Sequence, residues 1–159
     1  SAAWACSASR AMARAVRLSP AALGLPLAWI SEGFPRRALL TPRSAAVVPV
    51  MRRARRGAII NVGAASALKG AAKMGAYIAS KSALMRLTES MAAELREDGI
   101  NVNAVVPSII DTPANRASMP GADPAKWVSA KDLAAVIRFL ASDDARAIHG
   151  AVIPVVGLS

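Results

Sequence analysis

Three short apolar runs organise the second part of the chain. Residues 57–64, 100–107 and 151–156 are rich in β-branched or small apolar side chains, and glycine, proline or polar residues border them. Runs of this length without alternation are typical of strands buried on both faces of a parallel sheet. The pattern therefore predicts three strands of such a sheet.

Helical patterns separate these runs. Residues 75–98 are predicted to form a long helix that ends before Gly99, because glycine commonly follows a helix. Ser129, with Asp132 three residues later, predicts a capped helix over 129–140. Residues 38–54 give a weaker helical pattern because two prolines interrupt it. The long helix is predicted to bury an apolar stripe made of Ile78, Leu84, Leu87, Met91 and Leu95.

The order of these elements predicts an α/β fold. Strand, helix, strand, helix and strand form the repeating unit of a Rossmann-like, doubly wound parallel sheet. A complete sheet of this kind has about six strands, and only three are evident here. We therefore predict that residues 38–159 form the C-terminal half of such a domain. Residues 107–127 are expected to be irregular.

The first 37 residues show neither helical nor strand periodicity, so an irregular N-terminal segment, separate from the fold, is predicted. Residues 1–56 contain ten arginines and one glutamate, whereas the remaining residues are nearly balanced in charge. A targeting segment, a basic arm for nucleic acid or membranes, and foreign residues from a truncated or shifted reading frame would each explain this composition. We favour the third explanation and expect no nucleic-acid partner.

Two further features of the composition restrict the function. One cysteine and one histidine predict no metal site and no disulfide within the chain. The longest uncharged apolar stretch, residues 18–30, is shorter than the roughly 20 residues that span a bilayer. We therefore expect no membrane association and a cytoplasmic location.

Tyr77 and Lys81 are the first candidates for catalysis. They lie four residues apart in the predicted long helix, and residues at this spacing share a helix face. A cation beside a phenol favours the phenolate, which makes the phenol a usable proton donor and acceptor. The same spacing is frequent by chance, so the pair alone does not define a site.

The surroundings of this pair resemble the short-chain dehydrogenase/reductase family over about residues 38–157. "YIASK" at 77–81 resembles the family's YxxxK motif, and "PSIIDT" at 107–112 resembles its PGxxxT element, with serine in place of glycine. The resemblance implies that Tyr77 is the catalytic acid and that Lys81 holds the nicotinamide ribose. The implied cofactor-binding set is Tyr77, Lys81, Pro107, Ser108, Ile110 and Thr112, of which Pro107, the Ile110 backbone and Thr112 would face the carboxamide.

The chain departs from the family at the catalytic serine. That serine lies thirteen residues before the tyrosine, a position that Ala64 occupies here, and Ser66 is either a substitute or a turn residue. The missing serine, the segment 111–123 and Trp127 are similar to dihydropteridine reductase and its bacterial relatives. This similarity implies a pterin-like substrate, with a simple carbonyl compound as the alternative. Trp127 would either stack on a flat ring or anchor packing.

The family's glycine-rich phosphate turn is a second departure. None of the ten glycines reproduces GxxxGxG, the turn that brings backbone close to the pyrophosphate. The resemblance implies NADH or NADPH as cofactor, a small-molecule substrate and a homodimer or tetramer. Two hypotheses therefore stay open: an NAD(P)-dependent oxidoreductase, and a truncated, non-catalytic fragment that does not bind the dinucleotide alone.

Overall fold

The computed structural model describes residues 42–158. The predictions for residues 1–37, including their origin, and the domain boundary at residue 38 lie outside the described residues. The elements are helix α1 (Pro42–Ala54), strand β1 (Gly57–Val62), helix α2 (Gly75–Leu95), strands β2 (Ile100–Pro107) and β3 (Ile110–Asp111), helix α3 (Pro113–Ser118), strand β4 (Val128–Ser129), helix α4 (Ala130–Leu140) and strand β5 (Val152–Val155).

The main sheet has three parallel strands in the order β1-β2-β5. Gly57 lies opposite Ile100 at one end of the β1–β2 pair, and Val62 lies opposite Val105 at the other. The helix between each pair of strands forms a crossover, which parallel pairing requires. The predicted α/β fold with a Rossmann-like parallel sheet is thus confirmed.

Strand β2 lies at the centre of the hydrophobic core. Ile100 and Val102 are fully buried with Met91 and Leu95 of α2 on one face of the sheet. Val105 is buried on the opposite face with residues of α4. Side chains alternate between the faces of a strand, so an almost continuous apolar run supplies both layers. This is why the run at 100–107 has the composition of a doubly buried strand.

Helix α2 begins at the predicted residue but ends earlier than predicted. A 3-10 turn over Arg96–Asp98 follows Leu95, and Gly99 closes it with φ 72°, a left-handed conformation that favours glycine. The predicted stripe is partly wrong. The most deeply buried positions of the helix include Met85, Thr88 and Ala92, while the predicted Leu84 and Leu87 are only half-buried.

The segment between β2 and α4 contains more regular structure than predicted. Strand β3 pairs in parallel with β4, and helix α3 lies between them. Two-residue strands carry no periodicity, so the sequence pattern gave no signal for them. At α4 the capping prediction is correct: Ser129 Oγ accepts a hydrogen bond from the Asp132 backbone N at 3.0 Å and donates to its carboxylate at 2.7 Å.

The weak helical pattern before β1 corresponds to helix α1, which contains Pro49 in its interior. Val48 anchors this helix in the core beside Met91 of α2, and it is only 1% exposed. Tertiary packing thus outweighs the proline, whose missing N–H and ring disfavour a helix interior. Across residues 42–158 no helix is both long and apolar enough to cross a bilayer.

Candidate active site

The carboxyl ends of the three parallel strands define one edge of the sheet. Strand β1 ends at Val62, β2 at Pro107 and β5 at Val155. Val62 pairs with Val105 and Pro107 pairs with Val155, so the three strand ends are neighbours. Open parallel sheets bind ligands at this edge. Most of the predicted site residues lie in the loops and the helix that follow these strand ends.

Tyr77 and Lys81 lie in the first turns of α2. The Tyr77 side chain is 44% exposed, so its phenol is open to a ligand. Lys81 Nζ donates a hydrogen bond to the backbone carbonyl of Val62 at 3.2 Å. Because an ammonium group has three N–H donors, this contact fixes the side chain at the end of β1 and leaves donors for a ligand.

The loop after β1 brings Ala64 into the same region. Gly63 N donates to the Val105 carbonyl at 2.8 Å, which extends the β1–β2 pairing by one bond. Ala64 is in an extended conformation and 6% exposed, and Ser82 Oγ of α2 donates to the Ala67 carbonyl at 3.0 Å. The loop that contains the family's serine position is therefore bound to α2, and Ala64 provides no hydroxyl there. Ser66 is exposed.

The predicted cofactor residues after β2 are tied to β5. Pro107 is buried at the end of the strand. Ser108 N donates to the Val155 carbonyl at 3.1 Å, and Ser108 Oγ donates to the Val156 carbonyl at 2.9 Å. Serine at this position thus joins two strand ends, a structural role that the sequence pattern did not indicate.

Ile110 and Thr112 belong to a small hydrogen-bonded unit that contains Asn115. Thr112 is the N-cap of α3, and its Oγ1 accepts from Asn115 N at 3.2 Å. Asn115 Nδ2 donates to the Ile110 carbonyl at 2.7 Å. The Thr112 hydroxyl retains its hydrogen for donation to a ligand. Asn115 was missed in the sequence, although its position three residues after a threonine is the spacing of an N-cap.

An ion pair spans the same segment. Arg116 of α3 donates to both carboxylate oxygens of Asp111, at 2.6 and 2.7 Å. The hydrogen bond from Arg116 lowers the pKa of the Asp111 carboxyl, and the Asp111 carboxylate raises the pKa of Arg116. The side chains of Arg116 and Asp111 are 59% and 25% exposed, and ion pairs that water reaches contribute little to stability, so the pair orients the segment more than it stabilises the fold.

Burial decides between the two roles predicted for Trp127. Trp127 is only 7% exposed, so it is a packing residue in this structure and does not present a free ring. Asp143 forms a solvent-exposed ion pair with Arg56, whose Nη2 lies 2.9 Å from Asp143 Oδ2. These two residues lie 87 positions apart along the chain, so sequence spacing does not reveal the pair.

The arrangement suits proton transfer at an edge that is open to solvent. An exposed phenol and an anchored ammonium lie on α2, the latter bound at the carboxyl end of β1, and the Thr112 hydroxyl lies in the segment after β2. Within residues 42–158, no group of three His, Cys, Asp or Glu side chains could hold a metal ion.

The chain belongs to the short-chain dehydrogenase/reductase family. A family model described as enoyl-(acyl carrier protein) reductase matches residues 40–157, which cover the whole sheet and every predicted site residue.

Three relatives illustrate this membership. The short chain dehydrogenase adrF of Penicillium rubens is 35% identical over 69% of this chain and 51% of its own. The 3-oxoacyl-[acyl-carrier-protein] reductase FabG of Pseudomonas aeruginosa is 38% identical over 72% of this chain and 49% of its own. A solved 4-hydroxyisoleucine dehydrogenase complexed with NADH superposes with a TM-score of 0.62 at 32% identity, over 72% and 52% of the two chains. This chain thus spans about half the length of the relatives it matches.

Proposed function

We propose that this chain supplies the catalytic half of a nicotinamide-dependent oxidoreductase. The observation that carries the proposal is the pairing of an exposed Tyr77 phenol with Lys81, which is anchored on the Val62 carbonyl. Both lie at the sheet edge where parallel α/β folds bind ligands. The family membership and the NADH complex of 4-hydroxyisoleucine dehydrogenase support the same conclusion.

Tyr77 is the proton donor in this proposal, and the same phenol accepts a proton in the reverse direction. Lys81 stabilises the negative charge that develops on the phenol, because opposite charges favour the ionised form. The Val62 carbonyl holds the ammonium in place, so no reorganisation is needed when the proton moves. The backbone thus positions Lys81 and does not take part in the transfer.

The residues present fit the nicotinamide end of a dinucleotide. The free N–H groups of Lys81 are donors for ribose hydroxyls, and the Thr112 hydroxyl is a donor for a carboxamide oxygen. The Ile110 carbonyl already accepts from Asn115 but has a second lone pair for an amide N–H. When bound, the nicotinamide supplies or accepts the hydride. NADH and NADPH are both compatible with these contacts.

The substrate class is proposed from Ala64. A serine hydroxyl at this position would polarise a ketone, and Ala64 has none. A conjugated C=N group of a pterin-like molecule requires a proton but no such hydroxyl, so we propose a substrate of this class, as in dihydropteridine reductase. The second candidate is a 3-oxoacyl compound, which the name of the Pseudomonas relative favours.

The first experiment is a titration with NADH and NADPH, followed by turnover of a quinonoid dihydropterin. Tyr77→Phe should retain cofactor binding and lower turnover at least about 100-fold, the contribution of general acid catalysis. Lys81→Met should weaken cofactor binding and lower turnover. Lys73→Met is the matched control, because it removes the same charge from the exposed loop before α2. Unchanged turnover in Tyr77→Phe would remove that residue from the mechanism.

The same titration separates the two hypotheses drawn from the sequence. Saturable binding supports the oxidoreductase proposal for this chain. Absence of binding by a chain with a cooperative unfolding transition supports the alternative, in which the chain is a non-catalytic fragment that does not hold the dinucleotide alone. Sedimentation of the same sample tests the proposed dimer or tetramer.

A second variant tests the substrate class. The extended backbone of Ala64, with φ −156° and ψ 137°, accommodates serine without strain. Ala64→Ser should raise turnover of a 3-oxoacyl thioester and leave pterin turnover nearly unchanged. Equal effects on the two substrates would contradict the role assigned to Ala64.

A further inference from the structure

A cavity lies at the opposite edge of the sheet from Tyr77. It has a volume of about 250 Å³, and the amino ends of β1 and β2, the end of α4 and the residues before β5 line it. Strand β2 has eight residues, so at ~3.3 Å per residue it separates the two edges by roughly 25 Å. The cavity therefore does not belong to the proposed active site.

The charged residues of this cavity favour an anion. Arg56, Arg146 and Asp143 line it, together with His149. Arg56 is paired with Asp143 through both carboxylate oxygens, at 3.1 and 2.9 Å. Among the described residues, no carboxylate forms an ion pair with Arg146. Its guanidinium is thus the uncompensated charge of the cavity, and its planar N–H donors match the geometry of an oxyanion.

His149 adds a ring nitrogen to the lining of the cavity. Its Nδ1 is buried without a hydrogen-bond partner among the described residues. Nδ1 is thus sealed from the cavity, which leaves Nε2 as the ring nitrogen that can reach a ligand there. A neutral imidazole carries one hydrogen, and placing it on Nε2 makes the ring a donor toward the cavity.

The wall that carries His149 is rigid. Asn101 Nδ2 donates to the Ala145 carbonyl at 2.9 Å, and Asn103 Nδ2 donates to the Ile148 carbonyl at 2.7 Å. Asn103 is fully buried, and its Oδ1 accepts from Ala151 N at 2.9 Å. The backbone on both sides of His149 is therefore fixed before any ligand arrives, which lowers the entropic cost of binding.

We propose that this cavity binds a small oxyanion of the phosphate class. Arg146 would supply the charge and His149 an N–H donor, while the Arg56–Asp143 pair closes one side of the cavity. The volume is below the roughly 300–1,000 Å³ of sites for drug-sized ligands, so the site suits phosphate or a small phosphate monoester and is too small for a dinucleotide.

The single histidine of the chain provides a direct readout. The full 159-residue chain is titrated with inorganic phosphate at constant ionic strength, and the imidazole proton resonances of His149 are followed by NMR. We expect a saturable shift with phosphate and none with chloride. A parallel titration with glycerol 3-phosphate distinguishes the sources of the anion: tighter binding indicates a monoester, and equal binding indicates free phosphate.

Variants test the assigned roles. Arg146→Gln should weaken phosphate binding about tenfold, the loss expected for one charge-assisted hydrogen bond. Arg146→Lys, which keeps the charge but not the planar donors, should bind with intermediate affinity. Lys131→Gln removes an exposed charge from the other end of α4 and should bind like the wild type. A shift that is linear in phosphate, or one that Arg146→Gln leaves unchanged, would overturn the proposal.

Discussion

Strands β1 and β2 are both apolar, but their burial differs. All residues of β2 except Asn101 are buried, whereas every residue of β1 is half-buried or exposed, and Val62 is 42% exposed. The helical layers reach both strands, since Ile59 packs against the α1–α2 cluster and Ile60 against the α4 cluster. The difference in burial therefore comes from the number of neighbouring strands and not from the helices that cover the faces of the sheet.

Strand β2 has a hydrogen-bonded neighbour on each side, and β1 has one among the described residues. An apolar strand with an open edge is a template for pairing with another strand. Strand β1 thus has the apolar composition of an interior strand, although it lies at the edge of the described sheet. This contrast agrees with a chain that covers about half of each relative it matches.

The largest expected effect comes from the core position of β2. Ile100→Ala should lower the free energy of unfolding by about 2–5 kcal/mol, because Ile100 is fully buried beside Met91 and Leu95. Ile59→Ala, the matched change on β1, should cost about 1–2 kcal/mol, since Ile59 is only partly buried. Urea unfolding followed by circular dichroism measures both values. Equal losses would show that the open edge of β1 is covered in solution.

The elements that the sequence predicted well are those with a long or continuous pattern. The run at 100–107 coincides with β2, and α2 begins where predicted, because eight or more residues carry a clear hydrophobic pattern. The face of α2 was harder to predict. Thr88 is buried although it is polar, and its hydroxyl bonds both the Leu84 carbonyl and Asn61 Nδ2. Only tertiary contacts reveal that such a residue is satisfied inside the core.

The candidate site was predictable where side chains carry the chemistry. Tyr77 and Lys81 were predicted from their spacing together with the family resemblance, and Lys81 is hydrogen-bonded at the carboxyl end of β1. The hydrogen-bond partner of Lys81 is the backbone carbonyl of Val62. Every residue has such a carbonyl, so the sequence does not indicate this contact. The cavity around Arg146 and His149 was missed for a related reason, since separate segments of the chain form it.

Gly63 tests how closely β1 approaches β2 at their carboxyl ends. A Cβ atom at this position would lie 2.8 Å from Val106 Cγ1, so Gly63→Ala should cost about 1–3 kcal/mol of stability through overpacking. Gly70→Ala is the matched control, because open space surrounds that position, and it should change stability by less than about 0.5 kcal/mol. Thermal unfolding of the two variants provides the comparison. A Gly63→Ala protein as stable as the control would show that the two strand ends are loosely packed.

The smallest effect is expected outside the main sheet, at the Asp111–Arg116 pair. The pKa of Asp111 is lowered in the folded chain from its ordinary value of 3.8, chiefly by the hydrogen bond from Arg116. Because the pKa is lowered, the pair stabilises the fold at pH values above the ordinary pKa. This contribution is lost as the pH falls through the pKa of the folded chain. Asp111→Asn should therefore have a slightly lower Tm than the wild type at pH 7, and the difference should vanish at low pH.

Asp144→Asn is the control for this pH dependence, because Asp144 is exposed and forms no ion pair among the described residues. Its Tm should follow that of the wild type across the titration. High salt should reduce the effect of Asp111→Asn at pH 7, since surface pairs are screened. A Tm difference that persists at low pH would mean that Asp111 stabilises the segment after β2 through packing and not through its charge. That exposed segment would then depend on side-chain packing, as the core around β2 does.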